Sequence, residues 1–149
     1  MTIRLTDEQR AIRDSVARLC EGFDANYWLD CDNEKRFPFD FVDAVAEGGW
    51  LGIAMPEEYG GAALGITEAS IMMQAIAESG AGFSGASAVH LNIFGLNPVV
   101  IFGTDEQKQR MLPPLVRGDE KACFAVTEPN AGLDTTSIET FAENVGDGY

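Results

Sequence analysis

The residues best suited to chemistry lie near the C-terminal end, in residues 124–134 with the sequence FAVTEPNAGLD. Residues 124–126 are apolar and end in a β-branched side chain, which is typical of the end of a buried strand. A turn should follow, because Pro129 fixes φ at its second position and Asn130 tolerates its third. Such a strand stops abruptly and presents backbone N–H and C=O groups, with the Thr127 hydroxyl, to a ligand. A flat heteroaromatic ring with donors and acceptors along one edge, such as a flavin, suits this arrangement.

The segment AVTEPNAGLDTTS resembles the T-E-P-x-A-G-S-D signature of the acyl-CoA dehydrogenases, in which this stretch meets the flavin and the thioester. Supporting segments lie upstream: LTDEQRAIRDSV near the start, MPEEYGG at residues 55–61 and FGTDEQKQRMLPPLVRGD at residues 102–119. Their order and spacing are similar to the N-terminal half of the family over essentially the whole chain. The resemblance implies an FAD cofactor and an acyl-CoA substrate.

The resemblance also implies roles for single residues. The backbone of Phe124, Ala125 and Val126, and the backbone and hydroxyl of Thr127, are expected to contact the flavin ring. Position 133 is expected to face the substrate. It departs from the family pattern, because Leu133 stands where the family usually carries Ser and cannot donate a hydrogen bond to the CoA portion.

A second group of candidates lies on an apolar stretch upstream. In the family the matching helix borders the acyl pocket, so the resemblance makes Ala86, Ser87, His90 and Phe94 candidate substrate-binding residues. These four are spaced along one helical face. A histidine satisfied within the packed core is the alternative interpretation of His90, which is the only histidine of the chain.

Oxidation of an acyl thioester across Cα–Cβ needs a carboxylate base, a hydride acceptor and donors that polarise the carbonyl. The family's base lies in a later helical domain, and no Glu of this chain is predicted to replace it. Glu128 in particular is expected to hydrogen-bond local backbone. No catalytic residue and no metal ligand is therefore assigned, and the 149-residue chain alone is expected to be inactive.

Two other functions stay open at this point. A related flavoenzyme on the same scaffold, such as an acyl-CoA oxidase or a nitroalkane oxidase, would carry similar segments. A free-standing helical module that mediates assembly would need no flavin, and a yellow chromophore would distinguish it. For the dehydrogenase, the resemblance implies an electron-transfer flavoprotein or another acceptor as redox partner, and a homo-oligomeric full-length protein.

The composition is that of a globular protein, with 46% hydrophobic and 23% charged residues. The net charge of −14 argues against nucleic acid and anionic membranes as partners. Cys20, Cys31 and Cys123 are odd in number and lack the spacing of metal ligands, so they are expected to be reduced. The N-terminus has no apolar segment of a secretion signal, which favours a cytoplasmic protein.

The first two-thirds of the chain predict helices. Thr6 begins a capping-box pattern that opens an amphipathic helix to about Gly22. Residues 24–36 are polar and irregular and are interpreted as a connector. A second helix should open at Pro38, and a third at Thr67 after a Gly-rich loop.

Residues 79–104 carry no formal charge and are long enough for a membrane span. Internal Asn, Gly and Pro residues favour instead the central buried helix of a bundle, interrupted at Pro98. Thr104 should open a further helix, which Pro113 and Pro114 should shorten.

Strands are predicted from residue 122 and at residues 137–145. The fold class is therefore mainly α: an N-terminal helical bundle followed by the first strands of a β domain. The expected domains are residues 1–121, all helical, and residues 122–149, the beginning of the family's middle β domain. Because the last predicted turn has no returning strand, the chain is expected to be incomplete.

Overall fold

The computed structural model describes residues 4–148 of the chain. Within them lie seven α-helices, which confirms the mainly helical class. Their bounds are α1 (Asp7–Cys20), α2 (Ala25–Asn33), α3 (Phe39–Glu47), α4 (Ile66–Ile76), α5 (Gly82–Phe94), α6 (Asn97–Phe102) and α7 (Asp105–Arg117).

The predicted capping boxes form at two helix starts. The Thr6 hydroxyl accepts from the Gln9 N–H at 3.1 Å, and the Gln9 side chain accepts from the Thr6 N–H at 3.1 Å. Thr104 and Gln107 make the same reciprocal pair at the start of α7. Each box satisfies two N–H groups that a helix start would leave without partners.

Helix α2 corrects the interpretation of residues 24–36 as a connector. The Asp24 carboxylate accepts from the backbone N–H of Asn26 and of Tyr27, both at 3.0 Å, and so caps the helix. The inward side of α2 carries Trp28 and the buried Cys31. The apolar Leu29 lies between Trp28 and Cys31 but is 55% exposed, so the apolar residues of this helix do not mark a single face in the sequence.

The main hydrophobic core is built from one face each of α1, α3, α4 and α5. Phe41 on α3 is completely buried and meets Phe23 and Trp28 edge to face, with ring centroids 5.3 and 5.0 Å away. Met72 and Ile76 on α4 are also completely buried. This packing fixes the position of α5 relative to the first three helices.

A second, smaller cluster attaches α7 to the loop after α3. It contains Met55, Tyr59, Leu112, Leu115 and Val116. These contacts also correct the prediction that Pro113 and Pro114 shorten the helix, since α7 continues through both to Arg117. Burial of the apolar face of α7 offsets the backbone hydrogen bonds that the two prolines cannot make.

The predicted long central helix is divided and lies partly on the surface. Gly80 has φ 92° and separates α4 from α5, and α6 begins at Asn97 with Pro98 in its first turn, as expected. Val89 is fully buried, but Phe83 on α5 and Phe102 on α6 are largely exposed. Apolar composition therefore indicated the helical structure correctly, but the prediction of complete burial was wrong.

The stretch Ile66–Phe102 is the one helical stretch of the described residues that is long and apolar enough to cross a membrane, with a mean hydropathy of 1.4. Length and composition alone are weak evidence, because the core helices of water-soluble bundles meet the same criteria. Here the stretch is broken at Gly80 and supplies Met72, Ile76 and Val89 to the core. These features favour the prediction of a core helix.

The predicted strands are not confirmed. Residues 121–127 are extended, but the only β pairing within residues 4–148 is an isolated bridge between Glu128 and Ala131. Thr135–Ser137 form a 3-10 turn where the second strand was expected to begin. A strand needs a neighbouring strand that pairs with its N–H and C=O groups, and no such strand lies beside these segments within residues 4–148.

Candidate functional site

An apolar cleft of about 500 Å³ opens where α5 ends and α6 begins. We call it the Phe94 cleft. Besides these two helices, three parts of the chain contribute to it: the loop after α3, the start of α4, and the extended segment after α7. Its lining residues are Ala54, Met55, Leu64, Ile66, Ile93, Phe94, Asn97, Pro98 and Phe124.

A doubled-back loop brings one wall of the cleft together. The N–H of Ala63 donates to the Met55 carbonyl at 2.8 Å, and the N–H of Leu64 donates to the Ile53 carbonyl at 2.9 Å. Gly61 permits this close return, because a Cβ at that position would lie 2.1 Å from the Met55 carbonyl oxygen. The loop that begins with MPEEYGG thus brings Met55 and Leu64 to the same wall of the cleft.

Phe94 and Phe124 face each other across the cleft. Their ring centroids are 6.1 Å apart at an interplanar angle of 70°, an edge-to-face arrangement. Phe124 is 52% exposed and Phe94 41% exposed, so the contact lies at an open rim. The segment predicted to contact a flavin and the helix predicted to border an acyl pocket therefore meet at this pair.

A neighbouring cleft of about 310 Å³ lies on the other side of Phe94. It shares Ile66, Ile93 and Phe94 with the first cleft and adds His90. The His90 ring centroid is 5.4 Å from that of Phe94. We call it the His90 cleft.

The position of His90 differs from that of a histidine enclosed in the core. Its ring is half-buried and lines the cleft. His90 Nδ1 lies 3.0 Å from the Ser87 carbonyl oxygen, which can only accept, so this contact needs the proton on Nδ1. In the neutral ring Nε2 is then an acceptor.

The other candidates on α5 stand apart from both clefts. Ala86 is half-buried and packs against the main core. The Ser87 side chain is exposed, and only its carbonyl takes part in the site, through His90. Among the four candidates on this helix, the structure brings His90 and Phe94 to the clefts.

Beyond Phe124 the extended segment is open to solvent. Ala125 and Thr127 are exposed and Val126 is half-buried. No backbone N–H or C=O of residues 123–127 hydrogen-bonds another residue in the described part of the chain, and neither does the Thr127 hydroxyl. A run of unpaired donors and acceptors beside an apolar cleft fits the edge of a flavin ring, as it would also fit a neighbouring strand.

Leu133 lines neither cleft and is fully exposed, in the loop of residues 128–140. The loop is closed by Glu128, whose carboxylate accepts from the N–H of Glu139 at 2.9 Å, the N–H of Thr140 at 2.7 Å, and the Thr140 hydroxyl. As predicted, Glu128 hydrogen-bonds backbone N–H groups of its own loop. The Thr140 hydroxyl, followed by the two N–H groups, lowers the pKa of Glu128.

Asp134 organises the rest of this loop. Its carboxylate accepts from the Ser137 hydroxyl at 2.6 Å and from the Thr136 N–H at 3.2 Å. These bonds, with that of the Ser137 hydroxyl largest, lower the pKa of Asp134. The loop therefore keeps its shape mainly through hydrogen bonds to two carboxylates, with Ala131 as its one buried side chain.

Several lining residues were not identified from the sequence. Ile66, Ile93, Asn97 and Pro98 carry no signal beyond apolarity and helix termination. Met55 belongs to MPEEYGG, which supported the resemblance but received no role in the site. Sequence spacing along one helix reveals a shared face, but it does not reveal which loop folds against that face.

The cysteines show no sign of a metal site. Cys20, Cys31 and Cys123 are free thiols, the first two buried and the third exposed. No group of three or more metal-ligating side chains occurs within residues 4–148. Burial raises the pKa of the Cys20 thiol, which favours its neutral form.

Comparison with known families places this fold and site in context. The family described as "Acyl-CoA dehydrogenase, N-terminal domain" matches residues 6–119. Benzylmalonyl-CoA dehydrogenase from Aromatoleum aromaticum is 34% identical over 149 residues, which are 100% of this chain and 39% of that protein.

Solved structures give the same result at the level of the fold. A chain in the structure reported for the electron transferring flavoprotein of Acidaminococcus fermentans is 31% identical with a TM-score of 0.77 and covers 92% of this chain. An acyl-CoA dehydrogenase from Bacillus anthracis, complexed with FAD, is 26% identical with a TM-score of 0.76 and covers 90% of this chain. This chain covers 36% and 23% of those chains, respectively.

The family model and the solved structures agree over the greater part of the sequence. This chain spans about 39% of the length of the curated relative described above and aligns with it throughout. It belongs to the acyl-CoA dehydrogenase family, and residues 6–119 form that family's N-terminal domain.

Proposed function

We propose that this chain is the N-terminal portion of an FAD-dependent acyl-CoA dehydrogenase and forms one wall of its acyl site. The observation that carries the proposal is the Phe94–Phe124 pair at 6.1 Å, which joins the apolar clefts to the extended segment. An acyl chain in the clefts would lie beside residues 123–127, whose backbone groups are unpaired within the described chain.

The clefts would bind the acyl chain by removing it from water. Burial of each methylene contributes about 0.8 kcal/mol, so a lining of apolar side chains is sufficient for chain recognition. Nε2 of His90 is the one ring nitrogen left to accept a hydrogen bond from a polar acyl substituent in the His90 cleft. The same apolar surface would exclude water from the reacting carbons.

The extended segment would bind the cofactor through main-chain atoms. FAD would supply the hydride acceptor for oxidation across Cα–Cβ. The backbone of Phe124, Ala125 and Val126, with the Thr127 backbone and hydroxyl, would pair with the donors and acceptors of the ring edge. Leu133 would present an apolar surface to the CoA portion, in place of a hydroxyl.

The catalytic base is not proposed to come from this chain. Glu128, the carboxylate nearest in sequence to the segment, already accepts three hydrogen bonds, which hold it ionised and occupied. The 149-residue chain alone is therefore expected to turn over no acyl-CoA. The proposed partners of the whole protein are an acyl-CoA substrate and an electron-transfer flavoprotein or another acceptor. A homo-oligomeric, cytoplasmic enzyme is proposed.

A chimaera tests the function. Residues 1–149 would replace the matching segment of benzylmalonyl-CoA dehydrogenase, of which they cover 39%. The purified chimaera is expected to absorb at the wavelengths of bound flavin and to reduce an artificial electron acceptor with an acyl-CoA. A folded chimaera that binds FAD yet reduces no acceptor with any acyl-CoA in a series would contradict the proposal. Oxygen consumption in place of acceptor reduction would indicate an oxidase.

Two matched substitutions on α5 test the cleft itself. Phe94→Ala is expected to lower kcat/KM of the chimaera by about tenfold, because it removes a ring that the acyl chain contacts. Phe83→Ala removes an exposed ring of the same helix that lines neither cleft, and it should leave kcat/KM within about twofold. Equal effects of the two substitutions would show that the acyl chain lies elsewhere.

A further inference from the structure

Asn92 is the only polar residue that is buried in the described part of the chain, with 5% of its surface exposed. It lies on α5, two positions before Phe94. A buried amide without partners would cost free energy, so its contacts show what keeps it there.

All of its hydrogen-bond partners are backbone atoms of one distant segment. Nδ2 donates to the Glu120 carbonyl at 3.1 Å and to the Leu115 carbonyl at 3.4 Å. Oδ1 accepts from the Ala122 N–H at 3.3 Å. The Asn92 side chain thus connects α5 to the end of α7 and to the start of the extended segment.

Neighbouring contacts continue the same attachment. A Cβ added at Gly95 would lie 2.9 Å from the Ala122 Cβ, so Ala122 packs directly on the end of α5. Two residues later the Phe124 ring meets Phe94. In an extended chain alternate side chains share one face, and Ala122 and Phe124 accordingly both face α5.

The side chains of residues 121–125 bury too little apolar surface to fix how this segment aligns with α5. Lys121, Cys123 and Ala125 are exposed, and Phe124 is half-exposed. A shift of an extended segment by one residue turns every side chain to the opposite face, so some specific contact must oppose it. The Asn92 amide pairs with the Glu120 carbonyl and the Ala122 N–H of this segment, and with the Leu115 carbonyl of α7. A shift of the segment by one residue would break the first two of these bonds.

We propose that Asn92 is a positioning residue that fixes the register of residues 120–124 against α5. Through this register it sets the Phe124 ring against Phe94 and directs the unpaired groups of residues 123–127 to the mouth of the Phe94 cleft. Its consequence for catalysis rests on the proposed function, but the register itself does not.

Amide hydrogen exchange measured by NMR on the 149-residue chain tests the proposal without flavin or substrate. Asn92→Leu keeps the volume but removes all three hydrogen bonds. The Ala122 amide is then expected to lose protection by roughly tenfold or more. The Ile93 amide of α5 should keep its protection, and cross-peaks between the Phe94 and Phe124 rings should disappear.

Two controls separate register from general stability. Asn33→Leu makes the same chemical change at an exposed position of α2 and should leave the Ala122 amide unchanged. Val16→Ala creates a cavity in the main core and should lower the protection of all globally protected amides together, while the ring cross-peaks persist. Failure of the dehydrogenase chimaera would leave these measurements unaffected.

The protection of the Ala122 amide in these variants decides whether Asn92 fixes the register. Loss of protection at the Ala122 amide without a loss at the amides of α5 in Asn92→Leu supports the proposal. An unchanged Ala122 amide, or a fall shared equally with α5 as in Val16→Ala, overturns it. If Asn92→Leu does not fold, the native chain decides: an Ala122 amide that exchanges as in an unstructured peptide overturns the proposal, and a protected one with cross-peaks to the Asn92 side-chain amide supports it.

Discussion

Two regions of this chain are organised in opposite ways. Residues 4–120 form a bundle in which α1, α3, α4 and α5 bury a continuous apolar core. Among residues 121–148, Ala131 is the only side chain that is buried. Phe124, Leu133, Phe141 and Val145 are exposed. The apolar residues of the second region therefore form no core of their own within the described chain.

Polar contacts maintain the second region instead. Glu128 and Asp134 close its loop, and Asn92 attaches its first residues to α5. The Lys121 ammonium lies 3.7 Å from the Phe37 ring centroid and 4.5 Å from that of Phe39. Exposed cation–π contacts and single hydrogen bonds each contribute about 1 kcal/mol or less, so this region is held more weakly than the bundle.

The difference shows what each region can do alone. Burial makes the bundle independent of any ligand, whereas the exposed apolar side chains of residues 121–148 form a surface suited to contact with further protein or a cofactor. The candidate site lies where the two regions meet.

The largest expected effect comes from matched phenylalanines in the two regions. Phe41→Ala removes a ring that is 0% exposed and packs on Phe23 and Trp28, and it should lower the free energy of unfolding by about 3–5 kcal/mol. Phe141→Ala removes a ring that is 81% exposed and should change it by less than about 0.5 kcal/mol. Urea unfolding followed by circular dichroism measures both, and similar losses would show that the second region has a core after all.

A smaller effect is expected at the start of α2. Asp24→Ala removes the carboxylate that caps two N–H groups at 3.0 Å and should cost about 1 kcal/mol in the same unfolding measurement. Asp30→Ala changes an exposed carboxylate within the same helix, away from its first turn, and serves as the control. A cost for Asp30→Ala as large as that for Asp24→Ala would attribute the effect to net charge rather than to capping.

The smallest effect on global stability is expected at Glu128, where the change should be local. Its pKa is lowered in the folded loop, so its contribution is complete above the ordinary Glu value of about 4.3 and is lost as pH falls through the lower, folded value. Glu128→Gln should reduce the protection of the Glu139 and Thr140 amides at neutral pH. It should also make the protection of these amides independent of pH in the acid range.

Glu139→Gln is the control for this prediction, because the Glu139 carboxylate makes no hydrogen bond within the described residues. Protection factors corrected for the intrinsic pH dependence of exchange give the measurement. If Glu128→Gln instead lowers the free energy of unfolding of the whole chain, the two regions are coupled more strongly than their contacts indicate.

Much of the helical region was predictable because its signals are local. The Thr6 and Thr104 capping boxes depend on residues three positions apart, and the apolar stripe of α3 depends on the helical period. Helix α2 was not predicted because its apolar residues, which include the exposed Leu29, do not mark a single face in the sequence. The end of α7 was misplaced because the two prolines act locally, while packing of Leu112 and Leu115 decides whether the helix continues.

The candidate site was predictable only in part. The resemblance identified Phe124, His90 and Phe94, which the structure brings to two adjoining clefts. The predicted contacts of residues 125–127 and Leu133 with ligands stay predictions. Asn92 carried no signal for the site, because its partners lie 23 to 30 residues away and are backbone atoms that have no identity in the sequence.

The sequence by itself determined the starts of α1 and α7, the family and the segment that carries the signature, since each depends on residue types at short fixed spacings. Only the tertiary structure decided that Met55, Leu64 and Ile66 complete the cleft and that Asn92 aligns the segment with α5. Those contacts join positions far apart in the chain, and they form because the whole bundle buries its apolar surface together.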